Sequence, residues 1–260
     1  MKLQELNSNY LQLFALFCKK TEPKMKKSIV AFITLVLLTS CNKEVSKTNL
    51  HLTGNIKGLK KGTLYIQRVT NNNLVAIDTI KIDGDSKFET DVDLKSPEML
   101  YLFLDRGVTN SMDNNLLFFA EPGTMNIETN LDSYISNAKI SGSKNQEKYE
   151  EYKKIDTRFR DENLDMIEQK FKALKSNNTK ALDSLKIKQD NNTKRKYLFA
   201  TNFAINNRDY EVSPYIALSE IYDINIKYLD TIQKSMSPKV AQSLYGKKLT
   251  EYVVKIKKQK

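Results

Sequence analysis

Thiol and imidazole chemistry is almost missing from this chain. It holds two cysteines, Cys18 and Cys41, and one histidine, His51, among 260 residues. That excludes a Cys-x-x-Cys redox pair, a thiolate or histidine-cluster metal site, a cysteine protease and a histidine-based triad. Glycine is scarce as well, with 8 residues, and no glycine-rich phosphate loop appears. Long apolar runs are also lacking. Ile29 to Leu38 is a run of ten residues, apolar but for Thr34. As a helix it covers roughly 15 Å, about half of a ~30 Å hydrocarbon core, so it is too short to span a membrane.

That run has the length of a signal-peptide core, and its flanks agree. Met25 precedes Lys26 and Lys27, a short positive region, and the run closes on Leu38-Thr39-Ser40-Cys41. Small residues before a cysteine fit a lipoprotein cleavage site between Ser40 and Cys41. The thiol of Cys41 would be acylated and become the new N-terminus, a step that requires sulfur. Residues 25–40 are therefore expected to be a lipoprotein signal peptide. Residues 1–24 hold a second apolar patch, Leu11 to Cys18, broken by Lys19, Lys20, Glu22, Pro23 and Lys24. Cys18 follows Phe17, which is too bulky for cleavage. Residues 1–24 are expected to be an extension upstream of the true start at Met25 or, alternatively, a long n-region; either way the mature chain would begin at Cys41. An exported chain whose surviving cysteine is lipidated has no disulfide, so its core alone must stabilise it.

Charge divides the chain unevenly. Residues 42–141 carry 11 Lys/Arg against 13 Asp/Glu, a net −2, and residues 142–260 carry 25 against 16, a net +9. The basic half could attract an anionic lipid surface. Its lysines alternate with acids along the sequence, which fits an ordinary solvated helical surface better. Nucleic acid is not expected as a partner, because no reading motif is present.

After a polar linker, residues 41–49, short apolar runs recur roughly every ten residues between turn signals. They predict strands at Leu50–Ile56, Thr63–Val69, Leu74–Ile82, Lys87–Asp93, Met99–Leu104, Leu116–Ala120, Met125–Asn130 and Ala138–Ser141. Eight such strands predict an antiparallel β-sandwich over residues 50–142. Asp83-Gly84-Asp85 reads as a hairpin turn and Glu121-Pro122-Gly123 as a type II turn. Met99 to Leu104 and Leu116 to Phe119 do not alternate, so both of their faces need cover. Residues 143–260 turn helical and are the natural cover. Ser143 to Gln146 fits a capping box. Tyr149, Tyr152, Ile155, Phe159, Ile167, Phe171 and Leu174 then form a stripe on a long helix ending near Asn177-Asn178. Further helices are predicted from Lys180 to Asn206, Pro214 to Tyr222, Ile224 to Ile232 and Pro238 to Tyr245. Ser213 and Ser237 serve as N-caps, and Lys255 to Lys260 forms a frayed tail. The expected class is α+β, a sandwich packed against a helical region.

The ordered motifs resemble a known family. They are the Cys41 lipobox, Asp83-Gly84 with Phe88, Phe119-Ala120-Glu121-Pro122-Gly123, and Ser141-Gly142-Ser143 with Tyr149 and Tyr152. Ser213-Pro214 with Ile216, Ala217 and Leu218 follows, then Ser243-Leu244-Tyr245-Gly246-Lys247-Lys248-Leu249. The set, over about residues 48–250, is similar to the domain of unknown function 4369 region of envelope thiol-disulfide oxidoreductases. In those proteins, of the alkyl hydroperoxide reductase/thiol-specific antioxidant type, the region precedes a thioredoxin-like domain. The resemblance implies a neighbouring Cys-x-x-Cys pair that this sequence lacks. No catalytic residue can be carried over.

Other candidate chemistry is thin. An EF-hand built on Asp83 and Asp85 would need a glutamate where Leu94 stands. Asp161 with Glu162, or Asp91 with Asp93, reads as surface acids, and His51 as structural. Tyr149, Tyr152 and Phe159 read as core rather than a ligand platform. The expected function is a non-catalytic, lipid-anchored binding or interaction module of a Gram-negative cell envelope. It would sit on the outer membrane, held by the lipid at Cys41, with no cofactor and no metal. The alternative is a truncated or split accessory subunit of a thiol-disulfide oxidoreductase, partnering a thioredoxin-like protein.

Overall fold

The computed structural model describes residues 48–107 and 111–259. The signal-peptide region, Ser40 and Cys41 lie outside them. Thr48–Lys260 forms one compact unit.

Eight strands build its first half: β1 (Leu50–Lys57), β2 (Lys61–Thr70), β3 (Asn73–Asp83), β4 (Lys87–Val92), β5 (Glu98–Asp105), β6 (Asn115–Ala120), β7 (Gly123–Asn130) and β8 (Lys139–Ser141). They form two four-stranded sheets, ordered β4-β1-β7-β8 and β3-β2-β5-β6. Turn chemistry explains the tight joints. Asn71 and Asn72 take positive φ of 50° and 64° and close β2 onto β3, with Thr70 paired to Asn73. Both central residues at positive φ are what a two-residue hairpin requires, and asparagine tolerates that region.

One other turn does something different from what the sequence suggested. Asp83-Gly84-Asp85 joins β3 to β4, which belong to opposite sheets, so it is a corner and not a hairpin turn. Glu121-Pro122-Gly123 likewise carries the chain from β6 to β7 in the other sheet. Gly123 does hold a positive φ, 128°. Because β7 arrives across the sandwich and not through a hairpin, nothing obliges it to run against β1. The two pair in parallel from Leu50↔Gly123 to Lys57↔Asn130, and the other five pairings are antiparallel. The sandwich is thus antiparallel with one parallel pair at its centre.

Alternate residues of both sheets point inward. Leu50, Leu52 and Ile56 of β1 meet Leu64, Ile66, Leu100, Leu102 and Leu104 of the facing sheet, with Met125 and Ile127 beside them. The non-alternating strands have the second cover their sequence called for. Met99 and Phe119, paired across β5 and β6, face outward from the sandwich core and are buried in a second core built from the helices.

Six helices supply it: α1 (Lys144–Lys175), α2 (Thr179–Asn206), α3 (Val212–Ser219), α4 (Ile226–Ser235), α5 (Pro238–Ala241) and α6 (Leu244–Lys258). The Ser143 hydroxyl caps α1 by accepting the Gln146 N–H at 3.0 Å. Asn177, with φ of 49°, ends the helix, and Asn178 caps α2. Ser213 is not an N-cap. It lies inside α3 and donates its hydroxyl to the Ala204 carbonyl at 2.7 Å. Ser237 does stand at the N-cap position of α5, with Pro238 at the first helical position. The expected frayed tail is helical. Lys255, Lys257 and Lys258 occupy the last turn of α6, where cations complement the helix dipole.

Candidate functional site

The positions that were candidates from sequence do not converge. Ser40 and Cys41 are outside the described residues. His51, on β1, places Nδ1 2.9 Å from Asp91 Oδ1 and Nε2 3.7 Å from Glu89 on β4, a cross-strand surface contact. Asp91 is thereby taken up by His51, while the Asp93 carbonyl accepts from Arg68 at 3.1 Å. Glu162 pairs with Arg195 of α2 at 3.1 Å, so it makes no acid pair with Asp161. Tyr152 is buried, as expected, and stacks on Phe199 with ring centroids 5.4 Å apart. Among the described residues no group of three or more His, Cys, Asp or Glu is placed to hold a metal ion.

The motifs scattered along the sequence do meet. Their meeting place is the joint between sandwich and helices. Phe119 of β6 lies edge-on to Tyr215 of α3 and Tyr245 of α6, at 5.6 and 6.0 Å, and those two tyrosines are 5.0 Å apart. The Met99 N–H donates to the Tyr245 hydroxyl at 2.9 Å, and the Leu244 N–H donates to Ser96 Oγ at 3.1 Å. Glu121, from the β6–β7 crossing, reaches the start of α1. Its Oε2 accepts from the Ser143 hydroxyl at 3.0 Å and the Asn145 N–H at 3.1 Å. A carboxylate there satisfies helix N–H groups and meets the positive end of the helix dipole.

Gln146 does not complete its capping box. Its Oε1 instead accepts the Phe119 N–H at 2.7 Å, tying the edge strand β6 to α1. Asn145 carries the chain of bonds onward. It donates to Glu211 Oε2 and accepts the Val212 N–H, both at 2.9 Å, and so caps α3 from outside. Asn145, Gln146, Ser143 and Glu211 are all buried. On the other flank Glu98 pairs with Arg68 at 2.7 Å. Burial raises the Glu98 carboxyl above its ordinary range, and the Arg68 guanidinium partly offsets this. Burial likewise raises the phenols of Tyr215 and Tyr245, which stay neutral at physiological pH.

A second polar cluster sits between α1, α2 and α3, and no motif announced it. Asp156 is fully buried on α1. Arg160 Nε lies 3.1 Å from its Oδ2, and Lys196 Nζ of α2 lies 3.4 Å from its Oδ1. The Tyr152 hydroxyl donates to the same carboxylate at 3.4 Å, and Lys196 also reaches Glu220 at 3.6 Å. Burial raises the Tyr152 phenol, and Asp156 adds to the effect. Lys153 nearby is held below the usual lysine range by burial and by Arg160. Beside this cluster runs a groove of about 420 Å³, lined by Phe159, Arg160, Asn192, Lys196 and Tyr197 among others. Asn192 spans the hairpin by donating to the Phe159 carbonyl at 2.8 Å. Its Oδ1 has no hydrogen-bond partner among the described residues. The cluster can neutralise charge and fix the angle of the helices. The only trace of it in the sequence is an acid four residues after Tyr152, inside an otherwise apolar stripe.

The family model described as Domain of unknown function (DUF4369) matches residues 50–149, which take in all eight strands and the first residues of α1. The sequence motifs pointed to this family, and those from Asp83 to Tyr149 fall within the match; Cys41, Tyr152, Ser213 to Leu218 and Ser243 to Leu249 lie outside it. No curated protein and no solved structure matches the chain.

Proposed function

We propose that this chain is a non-catalytic, lipid-anchored protein of a Gram-negative cell envelope that serves as a binding or interaction module. One observation supports the module reading most directly. The buried acids Glu98, Asp156 and Glu211 are each engaged by a cation and tie one element to another: Glu98 by Arg68, Asp156 by Arg160 and Lys196, and Glu211 by Lys239 at 3.9 Å. Acids engaged in this way hold an architecture together, whereas general acid–base work needs a group free to exchange its proton with substrate. The anchoring part rests on the sequence alone, on Lys26-Lys27, the Ile29 to Leu38 run and Ser40-Cys41. Three acyl chains on Cys41 would give stable attachment, since two membrane signals already suffice.

Metabolic labelling with a radioactive fatty acid tests the anchor. The chain is expected to incorporate label, and Cys41→Ser to abolish it. An intact mass corresponding to an unmodified N-terminus at Met1 would refute it. Crosslinking in intact envelopes tests the module by recovering a defined protein partner.

A second reading has the match over residues 50–149 in its favour. In it the chain is an accessory subunit of a thiol-disulfide oxidoreductase, and its partner is a thioredoxin-like protein. Recovery of a Cys-x-x-Cys protein in the crosslinked complex would select this reading over the first.

A further inference from the structure

The distal half of the α1–α2 hairpin differs from the rest of the helical region. Near the sandwich the two helices join the large second core through Tyr149, Tyr152, Phe199 and Phe203. Farther out their buried residues form a separate small cluster, Met166, Ala173 and Leu185, drawn from these two helices alone. The hairpin end thus stands on its own packing.

Three large apolar side chains near that end have no cover. Phe171 and Ile187 are each 62 % exposed and Leu174 is 49 % exposed. At 1.5 Å per residue all three lie within about 14 Å of the turn at Ser176 to Asn178. Helical geometry turns them in different directions. Phe171 is two residues, about 200°, from the buried Ala173 on α1. Ile187 is two residues from the buried Leu185 on α2. Both therefore point away from the seam, on opposite sides of the hairpin.

The charge around them is mostly positive, with Lys172 paired to Glu168 one turn back at 2.6 Å. Lys170, Lys172, Lys175, Lys180, Lys186 and Lys188 are all exposed, and Asp183 is the one acid in residues 169–188. The adjoining stretch of α1, residues 156–168, is the reverse, with five acids against two arginines. The sequence-wide mixing of lysines with acids therefore fails at the hairpin end.

We propose that this tip docks on an anionic lipid surface, with Phe171, Leu174 and Ile187 entering the headgroup–acyl boundary and the lysines meeting lipid phosphates. Charge complementarity selects the occupant, and the outward spread of the apolar groups supports it. A fluid bilayer can close around residues pointing to several sides of a narrow tip, whereas a folded partner would need them on one face. The contact is additional to any lipid on Cys41 and does not depend on it.

The chain contains no tryptophan, so Phe171→Trp in the full chain creates a single reporter at the tip. The protein is reconstituted in neutral vesicles and titrated with added vesicles whose acyl chains are brominated. Vesicles with three-tenths anionic lipid are expected to shift the emission to the blue and quench it, and wholly neutral vesicles to do neither. Adding Lys170→Glu, Lys172→Glu and Lys175→Glu should weaken the response by at least about a hundredfold, since each lost lysine is worth roughly fivefold and each glutamate adds repulsion. Circular dichroism checks that the variant is folded. A Tyr222→Trp reporter, exposed but away from the tip, should stay unquenched. The proposal is overturned by no response to anionic vesicles, by equal quenching in neutral ones, or by equal quenching at position 222. A shift with an acidic polymer but not with brominated lipid would also overturn it and assign the tip to a macromolecule.

Discussion

Phe119→Ala tests whether sandwich and helices form one cooperative structure. Phe119 is fully buried, sits on the outer face of β6, and touches Tyr215 and Tyr245. Truncating a buried phenylalanine costs about 3–5 kcal/mol through lost burial and the residual cavity. The upper half of that range applies, because two edge-on aromatic contacts go with it, each about 0.5–1.5 kcal/mol beyond area burial. The cavity also cannot collapse easily, since the Phe119 backbone is pinned by Gln146. With a urea slope of about 3 kcal/mol per molar, a loss of about 4 kcal/mol lowers the midpoint by about 1.3 M. The assay is urea unfolding followed at once by helix ellipticity and by near-ultraviolet tyrosine signals. Both should move together by that amount. If the helix signal keeps its midpoint while the sheet weakens, the joint carries no mutual stability and the reasoning fails.

Three further substitutions probe the same framework. Gly246→Ala should destabilise by about 3 kcal/mol in thermal or urea unfolding, although alanine is the better helix former by about 1 kcal/mol. A Cβ on Gly246 would collide with the Val240 carbonyl and the Ala241 backbone, and unchanged stability would show that α5 and α6 can separate freely. Glu98 carries a pH signature. Its folded pKa is raised, so the native state binds the proton more tightly than the unfolded chain, and stability from this group grows as pH falls toward and below the folded value. The difference between wild type and Glu98→Gln should change in that sense between the raised folded value and 4.5; a level difference throughout would contradict the burial argument. Asp156→Asn leaves Arg160 and Lys196 short of a counter-charge. Breaking a buried pair costs about 3–5 kcal/mol, but Arg160 is half exposed and reaches water, so a loss of about 2 kcal/mol is expected in urea unfolding.

The strands were legible because they are punctuated. Asn71-Asn72, Gly84, Pro97 and Pro122-Gly123 mark positions that a strand interior tolerates poorly, and each marks an end or a turn here. The need for a second cover was legible from Met99 and Phe119, because apolar residues at consecutive positions of a strand face both ways. The parallel pairing of β1 with β7 was not legible. It depends on which sheet the chain re-enters after Glu121-Pro122-Gly123, and a turn's residues do not state that. Caps failed where the partner was distant. Ser213-Pro214 looks like a local cap, but the N–H at the start of α3 is satisfied by Asn145, 67 residues away. The basic tail was misread by its composition, since lysines at a helix C-terminus are favourable.

The joint explains why these motifs stand together in one chain without any chemistry in them. Phe119, Glu121, Ser143, Tyr215, Tyr245 and Gly246 belong to separate segments, yet each has a partner across the sandwich–helix boundary or holds a segment that does. Glu121 is acidic because it faces the N–H groups of α1. Gly246 is glycine because the α5 backbone lies against it. The residues with no such debt to the joint are those of the distal hairpin. Phe171, Leu174 and Ile187 are exposed, whereas Phe119, Tyr152, Ile216 and Leu249 at the joint are fully buried. Packing within the described unit therefore accounts for the length of α1 up to about Phe159 and Asn163, where Asn192 and Gln189 tie it to α2. The remaining turns bury little, and their exposed apolar groups and mostly positive charge need a reason outside that unit. An anionic surface supplies one, and it predicts that charge reversal at the tip moves the unfolding midpoint little, since replacing the Lys172–Glu168 pair costs about 1 kcal/mol or less, while removing the vesicle response.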